Sequence, residues 1–398
     1  MKKISKLVIF TGICSLLLAL SSCATTSKTP DYKVESYVRT WPLGSTEQEQ
    51  SLNNHWDNTE IKGNSLTELI ISFAHIDPET WGIKFPDADN KEKPFPELWN
   101  EVKALKARYP ALKVNCSVGG WGADHFSPMA ADPEKKEKFI AALVNLLKEK
   151  DLDGIDIDWE YPVGPDWGQE IQSSPEDGKN FLSLLQDMRT AFDNLGKTTG
   201  KHSSISCAIP GSSWYVQKID VISLSKLVDT MKLMSYDYYG GWSAQTGHHA
   251  NLYNNPKDPD WGGWSTDQAV KMYLNAGVPA SKIVIGVALY GRAWKGVEDN
   301  GVHGLYQKFA EPAYGDGLSW TQLKEFLKPG SGFTRYWDDV AKAPFLYNGD
   351  IFISYTDAEE IKLIGEYVKE NGLGGVMAWE YGHDIESELI KALYNSVN

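Results

Sequence analysis

Three acidic side chains stand at alternate positions in one short segment: Asp156, Asp158 and Glu160. Side chains of a β-strand alternate between two faces, so these acids share one face while the residues between them, Ile155, Ile157 and Trp159, share the other. Carboxylates crowded on one face repel each other, and the repulsion raises the pKa of at least one of them. A carboxyl that keeps its proton near neutral pH can act as a general acid. Glu160 is our candidate for that acid.

Two other interpretations of these acids are a metal site and a solvated acidic edge. Mg²⁺ or Ca²⁺ would draw oxygen ligands from several loops. The neighbouring predicted strand ends instead offer Ser117 and Tyr236. A solvated edge would not carry isoleucine at the intervening positions. We therefore expect catalysis, with neither a metal nor a cofactor.

The elements around these acids alternate between β-rich and amphipathic helical segments. Eight strands are predicted, at 33–39, 69–75, 112–118, 154–160, 204–210, 231–237, 283–290 and 374–380. Helical patterns include 133–150, 178–195, 266–276 and 357–371. Such alternation calls for parallel strands with right-handed crossovers, and eight units match a closed (β/α)₈ TIM barrel. An open doubly wound sheet is the alternative, but no glycine-rich phosphate turn follows the first strand. In a barrel the three carboxyls would point inward and rise toward the catalytic mouth.

A long connection separates the seventh and eighth predicted strands. Its aromatic residues are Trp294, Tyr306, Phe309, Tyr314, Trp320, Phe326, Phe333, Tyr336 and Trp337. A connection of this length with its own hydrophobic residues is typical of a small inserted domain. We predict an α+β insertion at residues 291–350, within an α/β barrel that covers residues 33–398.

The composition favours a globular body that acts on a neutral partner. The 398 residues include 53 acidic and 39 basic side chains, for a net charge of −14. This balance argues against a nucleic-acid partner, which needs a clustered positive surface. The 15 tryptophans offer flat rings that suit the apolar faces of sugars as well as a core. Cys116 and Cys207 fall in separate apolar strands and are predicted to be buried free thiols.

The N-terminal segment is predicted to direct export. Lys2, Lys3 and Lys6 precede an apolar run at 7–20, a pattern typical of a secretory signal. The run ends in Leu-Ser-Ser-Cys at 20–23, which resembles the bacterial lipobox. We therefore expect residues 1–22 to be a lipoprotein signal peptide, residues 23–32 a tether, and an acylated Cys23 to anchor the protein to a membrane of the cell envelope.

Five motifs together resemble those of glycoside hydrolase family 18, the chitinase family. Residues 153–160 read Asp-x-x-Asp-x-Asp-x-Glu, residues 117–121 read Ser-Val-Gly-Gly-Trp, and residues 234–237 read Met-Ser-Tyr-Asp. Tyr-Gly-Arg at 290–292 and Trp379 complete the set, in the family's order along the chain. The long insertion is similar to that of bacterial chitinases with deep, tunnel-like clefts.

The resemblance implies hydrolysis of β-1,4-linked N-acetylglucosamine in chitin or chitooligosaccharides. Glu160 would protonate the leaving oxygen while the substrate's own 2-acetamido carbonyl attacks the anomeric carbon, and the configuration would be retained. Asp158 would hold the acetamido N–H, and Asp156 would take up or share its proton with support from Ser117. Tyr236 would donate to the acetamido oxygen.

The resemblance also implies residues that bind the sugars. Asp237 would bind the same sugar or its neighbour, and Trp379 would form the floor beneath the distorted ring. The further candidates are Tyr37, Gly120, Trp121, Tyr161, Met234, Trp242 and Arg292. Any of the aromatic residues at the mouth could instead belong to the core.

Two other functions remain open from the sequence. One is an endo-acting enzyme on N-glycan cores or a peptidoglycan-directed relative, because either can carry the same acids. The other is a non-catalytic chitin-binding lectin, although Glu160, Asp158 and Tyr236 are all present. We expect a monomer in every case.

Overall fold

The structure, a computed structural model, describes residues 32–44, 47–50, 54–164, 170–259 and 264–398. These described residues contain fourteen strands. They are β1 (Lys33–Arg39), β2 (Glu68–Ile76), β3 (Ile83–Lys84), β4 (Lys113–Gly119), β5 (Gly154–Asp158), β6 (Ser204–Pro210), β7 (Thr230–Met234), β8 (Ile283–Ala288), β9 (Tyr290–Lys295), β10 (Glu311–Ser319), β11 (Thr334–Asp338), β12 (Ala343–Tyr347), β13 (Phe352–Ser354) and β14 (Gly375–Trp379). Cys23 and the predicted signal peptide lie outside the described residues.

The helices follow the strands in alternation. They are α1 (Glu47–Gln50), α2 (Leu98–Arg108), α3 (Phe126–Ala130), α4 (Pro133–Glu149), α5 (Asp177–Thr199), α6 (Ser213–Lys218), α7 (Val221–Leu227), α8 (Thr266–Asn275), α9 (Trp320–Phe326), α10 (Ala358–Glu370) and α11 (Glu388–Val397). Short 3₁₀ turns lie at Gly63–Ser65, Ala280–Lys282 and Tyr381–Asp384. Among the described residues, no helix has the length and apolar character needed to cross a membrane.

Eight parallel strands close into a barrel. Their order is β1, β2, β4, β5, β6, β7, β8 and β14, and β14 pairs again with β1. This closure rules out an open sheet. The predicted TIM barrel is confirmed, and β3 is a short antiparallel addition to β2.

Local sequence explains how helices cover the barrel. Asp132 caps α4 by accepting hydrogen bonds from the backbone N–H groups of Glu134 and Lys135, and Pro133 occupies the first turn. The outward side chain of Trp159 stacks on Phe126, with ring centroids 5.1 Å apart. The apolar face of β5 thus packs against the helices, as the alternation predicts.

Four barrel strands end earlier than predicted, and one of them, β14, ends only one residue early, at Trp379. β5 stops at Asp158 and β7 at Met234, so Glu160, Tyr236 and Asp237 lie in the loops at the mouth. Asp237 has a φ of 58°, a left-handed conformation that a strand does not accommodate. β8 stops at Ala288, and Tyr290 begins a strand of the second sheet.

The insertion between β8 and β14 is a second, antiparallel sheet. Its strand order is β10, β9, β13, β12 and β11, with α9 following β10, and it runs from Tyr290 to Ser354. Its apolar core is formed by Trp294, Val297, Phe345, Tyr347 and Phe352, together with Tyr239 from the loop after β7. The predicted insertion after the seventh barrel strand is therefore confirmed. Its first strand carries Arg292 toward the barrel mouth.

The two remaining cysteines behave as predicted. Cys116 and Cys207 are buried free thiols on β4 and β6. Burial raises the pKa of each thiol, so both stay protonated and unreactive.

Candidate active site

The three acids rise along β5 from the barrel interior to its mouth. Asp156 is fully buried, Asp158 is buried just above it, and Glu160 is partly exposed beyond the strand end. Burial disfavours the charged form of a carboxyl, so the three acids differ in proton affinity.

Asp156 is surrounded by hydrogen-bond donors from four strands. The Tyr37 hydroxyl and the Ser117 hydroxyl donate to Oδ2 at 2.9 and 2.7 Å. The Ser206 hydroxyl and the Lys232 ammonium donate to Oδ1 at 2.6 and 3.2 Å. Burial alone would raise the pKa of Asp156, but the charge of Lys232 and the three hydroxyl donors outweigh it and hold that pKa below its usual value.

Asp158 has the opposite environment. Its Oδ1 is buried and has no hydrogen-bond partner within the described protein. Burial raises the pKa of Asp158 well above its usual value, and the neighbouring Glu160 and Asp156 carboxyls raise it further, against a smaller opposing effect of Lys232. Asp158 therefore favours the protonated state, and its unpartnered oxygen leaves a polar atom that a ligand could satisfy.

Glu160 has the proton affinity of an acid catalyst. Burial raises its pKa to about 7, with a further contribution from the charge of Asp237 and an opposing hydrogen bond from the Tyr161 hydroxyl. Tyr161 packs edge-on against Trp214 at 5.2 Å, which fixes its ring beside the acid. A carboxyl with this pKa can both give and take a proton near neutral pH.

Asp237 is held by a two-pronged ion pair. Arg292 donates from Nε to Oδ1 at 2.8 Å and from Nη2 to Oδ2 at 2.9 Å, and His249 Nδ1 lies 3.6 Å from Oδ1. Burial acts to raise the pKa of Asp237, but His249 and Arg292 together lower it strongly. Asp237 is thus a fixed anion at the mouth, joined to the insertion through β9.

Tyr236 and Met234 come from the end of β7. The Tyr236 ring lies against Gly286 of β8, where a Cβ would stand 2.7 Å from a ring carbon, so the missing side chain makes room for the tyrosine. Its ring centroid is 6.3 Å from that of Tyr290. Burial raises the pKa of the Tyr236 hydroxyl, which keeps it a hydrogen-bond donor. Met234 is half-buried beside it.

An aromatic platform forms the floor of the site. Trp379 stacks with Phe73 at 5.6 Å and meets Tyr37 edge-on at 5.5 Å. Trp41 extends the platform, 6.3 Å from Phe73. Trp379 is therefore only partly exposed, and the rings beneath it hold it in place. Tyr37 both contacts the Trp379 ring and donates a hydrogen bond to Asp156.

Two more tryptophans stand at the rim. Trp121 is 61% exposed and Trp242 is 65% exposed. The Arg292 guanidinium lies 5.2 Å from the centroid of the Trp242 ring. Gly120 precedes Trp121 and allows the Phe73 ring to approach, since a Cβ on Gly120 would stand 2.7 Å from that ring.

Sequence reasoning missed several residues that shape the site. Lys232, Glu35 and Glu68 form buried ion pairs beneath Asp156. Phe73 and Trp41 complete the platform. Ser206, which donates to Asp156, and His249, which lies beside Asp237, were also missed. So were Tyr290 and the buried ion pair between Arg39 and Glu380. The inward alternation of Lys33, Glu35 and Tyr37 on β1 was the available signal for the buried charges.

The described residues hold no group of three or more His, Cys, Asp or Glu side chains arranged for a metal ion. In the ladder of acids formed by Asp156, Asp158 and Glu160, hydroxyl and ammonium groups stabilise Asp156. The guanidinium of Arg292 stabilises Asp237 beside the ladder.

Comparison with known proteins gives a consistent result. The sequence profile of glycosyl hydrolases family 18 matches residues 39–384. Chitinase A1 of Niallia circulans is 35% identical over 310 residues, which span 74% of this chain but 44% of that protein. Chitinase B of Serratia marcescens is 30% identical, with 84% of this chain and 77% of that protein covered.

A solved structure adds the fold-level match. A family 18 N-acetylglucosaminidase from Paenibacillus barengoltzii superposes with a TM-score of 0.78 at 35% identity, covering 92% of this chain and all of that one. The profile match extends from Arg39, the last residue of β1, to the last 3₁₀ turn and includes the whole ladder of acids. The chain therefore belongs to glycosyl hydrolases family 18 and is a chitinase-like glycoside hydrolase.

Proposed function

We propose that the protein hydrolyses β-1,4 linkages between N-acetylglucosamine units of chitin or chitooligosaccharides, with retained configuration. The supporting observation is Glu160, whose pKa is raised to about 7 at the barrel mouth, directly above a buried Asp158 that also favours its proton. Such a pair gives one carboxyl to protonate a glycosidic oxygen and another to meet the sugar's amide.

The proposed reaction has two steps. Glu160 protonates the leaving oxygen as the substrate's acetamido oxygen bonds to the anomeric carbon, so the glycosidic bond breaks and an oxazolinium ion forms. Glu160 then takes a proton from water, which attacks the same carbon and opens the ring. Asp158 accepts the acetamido N–H, and Tyr236 donates to the acetamido oxygen. An attacking group already attached to the substrate gains effective molarity when the protein fixes its orientation.

The alternative nucleophiles in the site are poorly suited to attack carbon. Asp156 already accepts four hydrogen bonds, and Asp237 is bound through both oxygens by Arg292. Family 18 is among the glycosidase families that use substrate assistance in place of a protein nucleophile. We infer the same for this chain.

The aromatic side chains suit a polymer of sugars. Trp379 offers a ring at the floor, and Trp121 and Trp242 offer exposed rings further out along the rim. Sugar rings stack their apolar faces on such surfaces. We propose that Trp379 supports the sugar undergoing reaction and that the two rim tryptophans bind its neighbours.

A second candidate is the release of single N-acetylglucosamine units. It is favoured by the likeness to the Paenibacillus barengoltzii N-acetylglucosaminidase, whose whole length this chain covers. The chemistry would be the same, and only the reach of the cleft would differ.

Product analysis tests both candidates. The protein is incubated with chitin hexamer, with a chitobiose-core glycan and with partly deacetylated chitosan, and the products are identified by mass spectrometry. We expect cleavage of the hexamer, and the product lengths distinguish internal cutting from release of single sugars.

New chitosan reducing ends should be N-acetylglucosamine, because the acetyl group supplies the nucleophile. Glucosamine ends at equal frequency would refute substrate assistance, and cleavage of the glycan alone would refute the chitin assignment.

A further inference from the structure

A buried ion pair joins the two strand ends that carry the aromatic platform. Arg39, the last residue of β1, and Glu380, which directly follows Trp379 of β14, are 3% and 1% exposed. The Nε and Nη2 atoms of Arg39 donate to Glu380 Oε1 at 2.8 and 2.6 Å. Burial acts to raise the pKa of Glu380, but the charge of Arg39, with smaller contributions from His383 and hydrogen bonds, holds that pKa below its usual value. The pair is therefore ionised at neutral pH.

The same guanidinium reaches the loop that carries Trp41. Its third nitrogen, Nη1, donates to the backbone carbonyl of Gly44 at 2.9 Å, and its Cζ lies 5.5 Å from the centroid of the Trp41 ring. A guanidinium presents its donors in a fixed planar fork, so it satisfies two partners together only when they keep one relative position. Arg39 thus links the chain after Trp379 to the loop after β1.

The two tryptophans at these strand ends form one surface. The centroids of the Trp379 and Trp41 rings are 6.5 Å apart, and Phe73 stacks on both rings, at 5.6 and 6.3 Å. Both tryptophans are partly exposed, so each offers a ring face to a sugar. The guanidinium attracts the face of the Trp41 ring, and its hydrogen bond to Gly44 fixes the loop that carries this ring. The place of Trp41 beside Trp379 therefore depends on Arg39.

The barrel topology indicates which part of a bound chain would meet this surface. In the ring of eight barrel strands, β5 with its acids lies opposite β14, and β1 is the neighbour of β14. Glu160 protonates the leaving oxygen in the proposed reaction, so the leaving sugar lies on the Glu160 side of the reacting sugar. Sugars that extend from Trp379 toward Trp41 then belong to the non-reducing part of the chain.

We propose that Arg39 is a positioning residue for substrate binding: it holds the Trp41 ring beside Trp379, so that the two rings present one stacking surface to the non-reducing part of the chain. This inference rests on the proposed function. Arg39 is buried and acts through the two rings. Its role exceeds neutralisation of Glu380, because neutralisation needs only a cation, whereas the alignment of two chain segments needs the planar fork.

Cyclic thiazoline mimics of the proposed oxazolinium ion are the probe. They carry no leaving group, so added sugars extend only at the non-reducing end. We define the length gain as the ratio of the affinities for the three-unit and the one-unit mimic, measured by titration calorimetry, and we expect a clear gain in the wild type. Arg39→Met with Glu380→Gln removes both buried charges and leaves neither one unpaired. The length gain of this double variant should fall by about 3- to 10-fold, the equivalent of one aromatic stacking contact.

Two single variants separate alignment from charge. Arg39→Lys keeps the cation without the fork, so it should unfold at a higher temperature than Arg39→Met but lose the length gain as the double variant does. Arg335→Met is the matched control. Arg335 pairs with Asp357 and Glu359, and its Cζ lies 5.4 Å from the Trp337 ring centroid, on the strand of the second sheet that is farthest from β9. Its replacement should leave the length gain unchanged.

A readout without ligand distinguishes failure of this proposal from failure of the proposed function. In protein labelled with fluorotryptophan, the Trp41 resonance is assigned by comparison with Trp41→Phe. It should move or broaden in the Arg39 variants and stay in place in Arg335→Met.

Several results would overturn the proposal: an unchanged Trp41 resonance, no length gain in the wild type, or a wild-type length gain in the double variant or in Arg39→Lys. Failure of the wild type to bind any of the mimics would instead refute the proposed function, and the resonance would still show whether Arg39 holds the Trp41 ring.

Discussion

The three carboxyls of β5 show how one residue type acquires different chemistry from its surroundings. Asp156 is stabilised as an anion by four donors, Asp158 is destabilised as an anion by burial beside two other acids, and Glu160 lies between these extremes. Titratable groups whose environments separate their pKa values are typical of acid–base catalysis. Glu160 is the one with access to the mouth.

Replacement of Glu160 tests this assignment. Glu160→Gln keeps the shape of the side chain but cannot donate an acidic proton, so kcat on chitin hexamer should fall by about 10² to 10⁴-fold, the range typical of general acid catalysis. Substrate affinity should change little. Steady-state kinetics on the purified variant measures both quantities. Retention of more than about a tenth of the wild-type kcat would contradict the role of Glu160.

The pH dependence of stability provides the folding control for that variant. A carboxyl whose pKa is raised to about 7 in the fold contributes stability below its usual pKa and loses it as the pH rises through about 7. Gln cannot ionise. Glu160→Gln should therefore unfold at a higher temperature than the wild type above pH 7, and the two should converge at acid pH. A less stable variant at alkaline pH would indicate damage to the fold.

At the scale of elements, the end of β4 is fitted closely to the end of β5. Gly119 has a φ of +126°, and a Cβ at this position would stand 2.0 Å from the carbonyl oxygen of Asp158. The next residue, Gly120, donates its backbone N–H to that same oxygen at 2.9 Å. The two glycines thus let one strand end pass directly beside the backbone that carries the catalytic pair.

Gly119→Ala tests this fit against a matched position. Gly122 also has a positive φ, of +78°, but an added Cβ would meet no atom within 4 Å. Gly122→Ala should lower the unfolding free energy by about 1 to 2 kcal/mol, because alanine disfavours the left-handed backbone conformation. Gly119→Ala adds a backbone clash and should cost clearly more, and it should also lower kcat by displacing Asp158. Urea unfolding measures both variants, and equal losses would show that the close approach to β5 is unimportant.

The barrel and the ladder could be predicted because both follow from short-range patterns. Strand–helix alternation specifies parallel pairing, and the period of two along β5 places its acids on one inward face. The residues at which the strands end could not be predicted with the same accuracy. Nothing in the residue type of Asp237 marks its left-handed backbone, so the apolar pattern of β7 was extended three residues too far.

The cluster around Lys232 depends on information that a linear sequence does not display. Lys232 and Glu68 are 164 positions apart and meet only because β7 and β2 face each other across a closed barrel. The alternation rule places each side chain inside, but the stagger of the strands decides which inward groups are at the same level. That stagger appears only in three dimensions.

At the scale of the whole molecule, two cores serve one site. The barrel supplies the acids and Trp379, and the insertion, which packs its apolar core against Tyr239 of the loop after β7, supplies Arg292 through β9. Asp237 and Arg292 join the two parts by a bidentate pair at the mouth. The insertion thus contributes to the geometry of the site as well as to its rim.

The net charge of −14 bears on where such a body can work. An acidic protein is repelled by an anionic membrane surface within about 8 Å at physiological salt, so it needs a tether rather than a charged patch to stay near one. We propose that acylated Cys23 provides the attachment and residues 24–32 the tether. More than one acyl chain gives lasting anchorage, and each buried CH₂ adds about 0.8 kcal/mol.

Cys23→Ser tests the anchor while leaving the enzyme intact. Expressed with its N-terminal segment in a bacterial host, the wild type should sediment with membranes and resist a high-salt wash, because acyl chains are held by the hydrophobic effect and not by charge. The Cys23→Ser variant should appear in the soluble fraction with unchanged kcat, since β1 begins ten positions later, at Lys33. Cys14→Ser, which alters the other cysteine of the N-terminal segment, is the matched control and should stay with the membrane. If Cys23→Ser still sediments after the salt wash, the attachment does not depend on lipidation of Cys23, and the proposed lipoprotein form is wrong.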